Sequence, residues 1–193
     1  MLTANSGQAN VTLTGNTISG TTYDASQQTG GIGVRVNSND TSKLRLQLTS
    51  NTITNNQSLG VSVVGSGNAD VSVAANSNTI TNNNTVSGTE NPPTPSAFDV
   101  AASSGTPKIC LRLNGNTNVS GNTVASYSLY NGNLGNATFQ VENTLGSNTG
   151  TISQQTFNGT VLTPSGLPTA TAVSSTTLAN GFTSVASGTC ATP

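Results

Sequence analysis

Few side chains in this 193-residue chain could do chemistry, since only 6% are charged and there is no His. The acidic candidates Asp24, Asp40, Asp70 and Asp99 are scattered and never paired in sequence. Calcium binding or acid/base hydrolysis needs at least two carboxylates brought together. Arg35 and Asp99 hold the middle of two short apolar strands and are expected to point outward, with Ser62 between them. Arg45 and Arg112 are also expected outward, so solvated surface charge is the reading of all four. Without His, a His-dependent mechanism is excluded, and neither Cys110 nor Cys190 has an imidazole base to make it a nucleophile. No catalytic residue, metal or cofactor is therefore expected. The two cysteines are either free thiols or a bridge. The bridge is the expectation, closing a loop of about 80 residues and contributing about 4 kcal/mol in the chain-entropy model.

The elements that carry these residues come from one repeated phrase. It reads Leu44-Arg45-Leu46-Gln47-Leu48, then Asn51-Thr52-Ile53-Thr54, and recurs at 11–19, 71–81 and 109–119. Aligned on Asn16, Asn51, Asn78 and Asn116, the apolar residues form columns. Val11, Leu46, Val73 and Leu111 stand five before the Asn; Leu13, Leu48, Ala75 and Leu113 stand three before. Two after it stand Ile18, Ile53, Ile80 and, breaking the pattern, Asn118. Alternation of period two predicts strands with these residues on one face. The corners at Gly15-Asn16, Ser50-Asn51, Ser77-Asn78 and Gly115-Asn116 suit left-handed backbone. A second apolar strand recurs between anchors, at 33–36, 60–63, 98–100 and 127–130.

Anchor spacings of 35, 27 and 38 residues (51−16, 78−51, 116−78) are those of a solenoid with corner loops of unequal length. Three short strands per rung, each stacked on its counterpart about 4.8 Å away, predict a parallel β-helix. The proline-containing stretch Val86 to Pro95 is expected to be a surface loop. From Asn136 the phrase loosens: with Asn143 as the anchor, Phe139 and Val141 fall one residue out of register. Residues 1–156 are thus expected to form the coils, and 157–193 a C-terminal tail or cap covering an end that would otherwise expose unpaired strand edges.

Five basic against six acidic residues give no electrostatic footprint for nucleic acid, and no window is apolar enough for a membrane span. Met1-Leu2-Thr3-Ala4-Asn5 lacks the basic start and apolar run of a signal peptide, so a mature or excised chain with further rungs upstream is expected.

The phrases at 15–20, 50–56 and 115–124 resemble those of right-handed parallel β-helix proteins of pectate-lyase-like architecture. More narrowly, they are similar to the last coils of large bacterial cell-surface and autotransporter-like β-helix proteins. There a closing rung carries a Cys-Leu-x-Leu-x-Gly-Asn-Thr phrase, matched by Cys110 to Thr117. The resemblance covers roughly residues 10–145. It implies an all-β, right-handed parallel β-helix (β-solenoid) of about five coils with a C-terminal capping tail, located outside the cell or on a bacterial surface. It says little about function, since this coil serves lyases, hydrolases, adhesins and spacers alike.

Two surfaces remain as candidates. Asn16, Asn51, Asn78 and Asn116 should stack as an asparagine ladder, read as a self-satisfying corner in preference to a sugar-binding row. With the isoleucines inward, Thr17, Ser19, Thr52, Thr54, Thr79, Thr81 and Thr117 form an outward grid of hydroxyls. Ice-binding solenoids present such grids, although β-branched Thr also favours strands for its own sake. The expected function is a non-catalytic extracellular module: a stalk, adhesin or self-assembling surface component. Its partners would be glycans, bound weakly, or neighbouring copies. A carbohydrate-active lyase or hydrolase and an ice-binding protein are the alternatives.

Overall fold

The computed structural model describes residues 1–24, 26, 29–86, 96–119, 125–133, 136–156, 171–172, 178 and 181–193. Among them the chain is all-β, apart from a 3-10 turn at Leu145–Ser147. With strands numbered along the chain, the first sheet contains β1 (Leu2–Ala4), β6 (Val34–Ser38), β9 (Val61–Gly67), β12 (Ser96–Gly105), β15 (Ala125–Asn131), β17 (Thr151–Thr156) and β18 (Thr171–Ala172). The second contains β2 (Gln8–Thr14), β7 (Lys43–Thr49), β10 (Asp70–Asn76), β13 (Lys108–Asn114), β16 (Thr138–Glu142) and β19 (Thr183–Val185). The third is β3 (Thr17–Ser19), β8 (Thr52–Thr54), β11 (Thr79–Thr81) and β14 (Thr117–Val119). A small hairpin, β4 (Tyr23–Asp24) with β5 (Thr29–Gly30), stands apart.

Four circuits, from β1 to β14, visit the three sheets in turn, and the strands of successive circuits pair in parallel. The next circuit has β15 and β16 but only a single bridge, Thr149 to Thr117, on the third side, and β18 runs antiparallel to β17. This stacking is compatible with a parallel β-helix. Alternation places the aliphatic columns inside. Leu44, Val71, Ile109 and Phe139 align across the second sheet, as do Leu46, Val73, Leu111 and Val141, all essentially buried. Facing them in the first sheet are Val34, Val61, Phe98, Tyr127 and Ile152. Each such side chain contributes about 1.5–3 kcal/mol of burial. The columns open at one end, where Val11, Leu13 and Ile18 are only half-buried.

The left-handed corners fall one residue before the Asn anchors, at Gly15, Ser50, Ser77 and Gly115, with φ between 53° and 67°. At the corner from the first sheet to the second, Gly105 has φ 77°, and a Cβ there would meet Gly67 Cα at 2.7 Å. Glycine alone fits that close approach.

Three expectations need correcting. Phe139 and Val141 are in register after all, opposite Ile109 and Leu111, because the anchor of that circuit is Asn148 and not Asn143. The 3-10 turn inserts two residues: Val141 lies seven before Asn148 (148−141), whereas Leu111 lies five before Asn116 (116−111). Asp99 does hold the outward position of its strand, opposite Ser62 and Ser128, but it is only 3% exposed and so is not solvated surface charge. Arg45 and Arg112 do point outward, yet both are tied into ion pairs. The loop expected at 86–95 and the start of the tail, 157–170, lie outside the described residues.

Candidate functional site

The corner asparagines form a ladder with one repeating geometry. The backbone N–H and the Nδ2 of Asn51 both donate to Oδ1 of Asn78, at 3.0 and 2.9 Å. Asn78 does the same to Asn116 at 2.9 and 2.8 Å, and Asn16 to Asn51 at 2.9 and 3.1 Å. The second amide proton goes back to a carbonyl of the previous circuit: Asn51 to Leu13, Asn78 to Leu48, Asn116 to Ala75. Each interior amide thus uses both protons and accepts two bonds through its oxygen. Asn51, Asn78 and Asn116 are about 1% exposed. An amide in that state has nothing left for a sugar.

Sequence reasoning missed part of this system. Asn148 is a fifth member, accepting from Asn116 N–H and Nδ2 at 2.9 and 2.8 Å. A second ladder runs along the other end of the third sheet, where Asn56 Nδ2 donates to Asn83 Oδ1 at 2.8 Å and Thr21 Oγ1 donates to Asn56 Oδ1 at 2.8 Å. Its signal was present, because Thr21, Asn56 and Asn83 each stand five residues after an anchor. Gly33 and Gly60 make room for it: a Cβ on either would meet an amide nitrogen of Asn56 or Asn83 at 2.9 Å.

The third sheet presents the threonine face. Thr17, Thr52, Thr79 and Thr117 are in register on adjacent strands and all exposed. In the second column Ser19 is exposed, while Thr54 and Thr81 are half-buried and share a hydroxyl hydrogen bond of 3.2 Å. Below them Ile53 and Ile80 are fully buried. Asn118 continues that inward column, fully buried, and its Nδ2 donates to the Ser126 carbonyl at 2.6 Å.

The remaining chemistry gathers where the C-terminal segment meets the second sheet. β19 adds to that sheet beside β16, and Phe182 stacks edge-on against Phe139 with centroids 4.9 Å apart. The chain then folds back over the outer face. Cys190 bonds to Cys110 of β13, with Cα atoms 5.3 Å apart. Beside them lies Glu142, a residue that sequence reasoning passed over because its partners are far away in the chain. Its side chain is fully buried and accepts Nε and Nη2 of Arg112 at 2.7 and 3.0 Å, Gly188 N–H at 3.0 Å and Cys190 N–H at 2.7 Å. Burial alone would push this carboxyl up, but the bonds from Arg112, Cys190 and Gly188 and the guanidinium charge hold it below the ordinary range. The same pairing raises Arg112.

Of the other acidic residues, Asp70 is gripped through both oxygens by Arg45 at 3.0 Å, Asp24 accepts from Ser26, and Asp40 is exposed. Among the described residues no group of three or more His, Cys, Asp or Glu could hold a metal ion, and no helix is long and apolar enough to cross a membrane. Comparison with protein-family models, curated proteins and solved structures finds no match for this chain. The fold and its surfaces define only an all-β protein of stacked parallel strands.

Proposed function

We propose that this chain is a non-catalytic β-solenoid module, a right-handed parallel β-helix of about five coils whose C-terminal residues 157–193 form a cap. Its role is that of a rigid extracellular stalk or adhesive surface component. The observation that carries this reading is the saturated asparagine ladder joined to in-register aliphatic columns. Every circuit is tied to the next by the same bonds, which suits a rod that must resist unfolding and proteolysis. The Cys110–Cys190 bridge supports an oxidising location, because such bonds persist outside the reducing cytosol. A carbohydrate-active enzyme would need carboxylates free to act, whereas Asp70 and Glu142 are each held by a guanidinium group. Head-to-tail stacking of copies would have to continue from the three-residue β19 and from β18, which runs antiparallel to β17, so the single rod is favoured over the filament.

Binding of the folded protein to a broad glycan array, with and without calcium, tests the adhesive part. Reproducible binding to one glycan class supports an adhesin; a blank array leaves the stalk and removes the sugar partner.

One observation favours a second reading. The exposed, in-register column Thr17, Thr52, Thr79 and Thr117 offers hydroxyls about 4.8 Å apart, a spacing that could order water at an ice surface. Thermal hysteresis of the purified protein decides it. Freezing at the solute-limited temperature, without crystal faceting, ends that reading.

A further inference from the structure

A cleft of about 200 Å³ lies between the outer face of the second sheet and the returning C-terminal segment, away from the threonine face. Its floor is two rows of side chains on adjacent strands. Asp70 and Lys108 are directly opposed in one, and Arg45, Ser72, Cys110 and Gln140 follow in register in the other. Thr189 and Ala191, on either side of Cys190, form the wall.

Three polar groups of this cleft are left unpaired by the described residues. Ser72 is only 2% exposed, and its Oγ is buried with no hydrogen-bond partner among the described residues. Such a group is costly unless something completes it. Lys108 is exposed and makes no ion pair among the described residues, although it lies opposite Asp70, whose two oxygens are taken by Arg45. Gln140 is half-buried opposite Cys110, and its side-chain amide makes no hydrogen bond to the described residues. Two cations, Arg45 and Lys108, against one carboxylate, Asp70, leave the cleft one positive charge.

We propose that this cleft binds a small hydroxylated carboxylate, no larger than one sugar unit. The carboxylate lies on Lys108, and its hydroxyls exchange hydrogen bonds with Ser72 Oγ and the Gln140 amide. A single net charge matches a monoanion, and the hydroxyl and amide can each meet a sugar-type hydroxyl. The wall depends on the clasp: Cys190 holds Thr189 and Ala191 against the sheet through Cys110 and Glu142. The site is independent of the stalk reading and stands on a different sheet from the threonine grid.

The test is titration of the isotope-labelled, oxidised full chain with gluconate, sorbitol and acetate, followed by amide chemical shifts. Gluconate should saturate and perturb Ser72, Lys108 and Gln140, with sorbitol (no charge) and acetate (no hydroxyl) each at least about tenfold weaker, since a charge-assisted contact or a completed buried hydrogen bond is worth about that factor. Lys108→Ala should lose about tenfold for gluconate, with Lys108→Arg recovering most of it. Ser72→Ala should weaken gluconate several-fold while leaving the melting temperature unchanged or higher, because it removes an unsatisfied hydroxyl. No saturable gluconate binding, equal affinity for all three probes, or indifference to Lys108→Ala would each overturn the assignment.

Discussion

The Glu142 carboxylate accepts the backbone N–H of Cys190 at 2.7 Å while the sulfur of Cys190 is bonded to Cys110 on the neighbouring strand. The C-terminal segment is therefore held twice, once covalently and once by a buried acceptor that also binds Arg112. The two fastenings respond to different variables, one to reductant and the other to pH.

Glu142→Ala should destabilise the fold by about 3 kcal/mol, because it leaves the Arg112 guanidinium and two N–H groups without their acceptor. Glu142 is held below its usual value of 4.5, so the folded state keeps the proton off more readily than the unfolded chain. Its contribution is fully present above the ordinary carboxylate range and is lost as pH falls through the lowered folded value. Urea titrations of the parent and of Glu142→Gln at a series of pH values should show the parent losing stability below about pH 4.5, and the variant with a flatter acid limb.

Reduction should cost about 4 kcal/mol in the chain-entropy model, from a loop of 80 residues. Glu142 remains in place, so reduced protein at neutral pH should keep its sheet signal by circular dichroism. Combining reductant with acid should release the segment, read as new protease cleavage beyond Leu178.

Within the ladder, position sets the cost. Asn78→Ala removes the acceptor for Asn51 N–H and Nδ2 and the donor to Leu48 and Asn116, all buried, and should lose about 3 kcal/mol. Asn16→Ala, at the exposed end, should lose less than about 1 kcal/mol, since water can replace its bonds. Equal losses in chemical denaturation would show that the ladder is not cooperative in the way its geometry implies.

Asn118→Ile completes the isoleucine column over Ile80, and pattern alone would favour it. The exchange should nevertheless destabilise by about 1–2 kcal/mol, because the Ser126 carbonyl loses a buried donor. Thermal melts of this variant beside Ile80→Val would separate the polar loss from simple repacking.

The stacked strands were legible because Leu46, Leu48, Asn51 and Ile53 keep their relative positions in every regular circuit, so one alignment places the columns and the ladder together. The last circuit was not legible at its corner. There the turn at Leu145–Ser147 lengthens the strand-to-anchor distance, and Asn143 offered itself as a false anchor in place of Asn148. Alternation told which face Asp99 occupies but not whether anything lies over that face, since what covers a strand is a property of distant chain. For the same reason Glu142 carried no local signal: its partners are Arg112, 30 residues before it, and Gly188 and Cys190, 46 and 48 after it. The cleft depends equally on register, which brings Ser72, Lys108 and Gln140 together from three strands.

The ladder also bears on how such a protein can change size. Each interior asparagine answers only to the circuit before it and the circuit after it, and the anchors already tolerate separations of 27, 32, 35 and 38 residues. A duplicated or deleted stretch running from one anchor to the next would meet the same donors and acceptors at both joins. Gene-level gains and losses of whole units can therefore alter the number of stacked circuits in discrete steps, with the C-terminal clasp inherited intact.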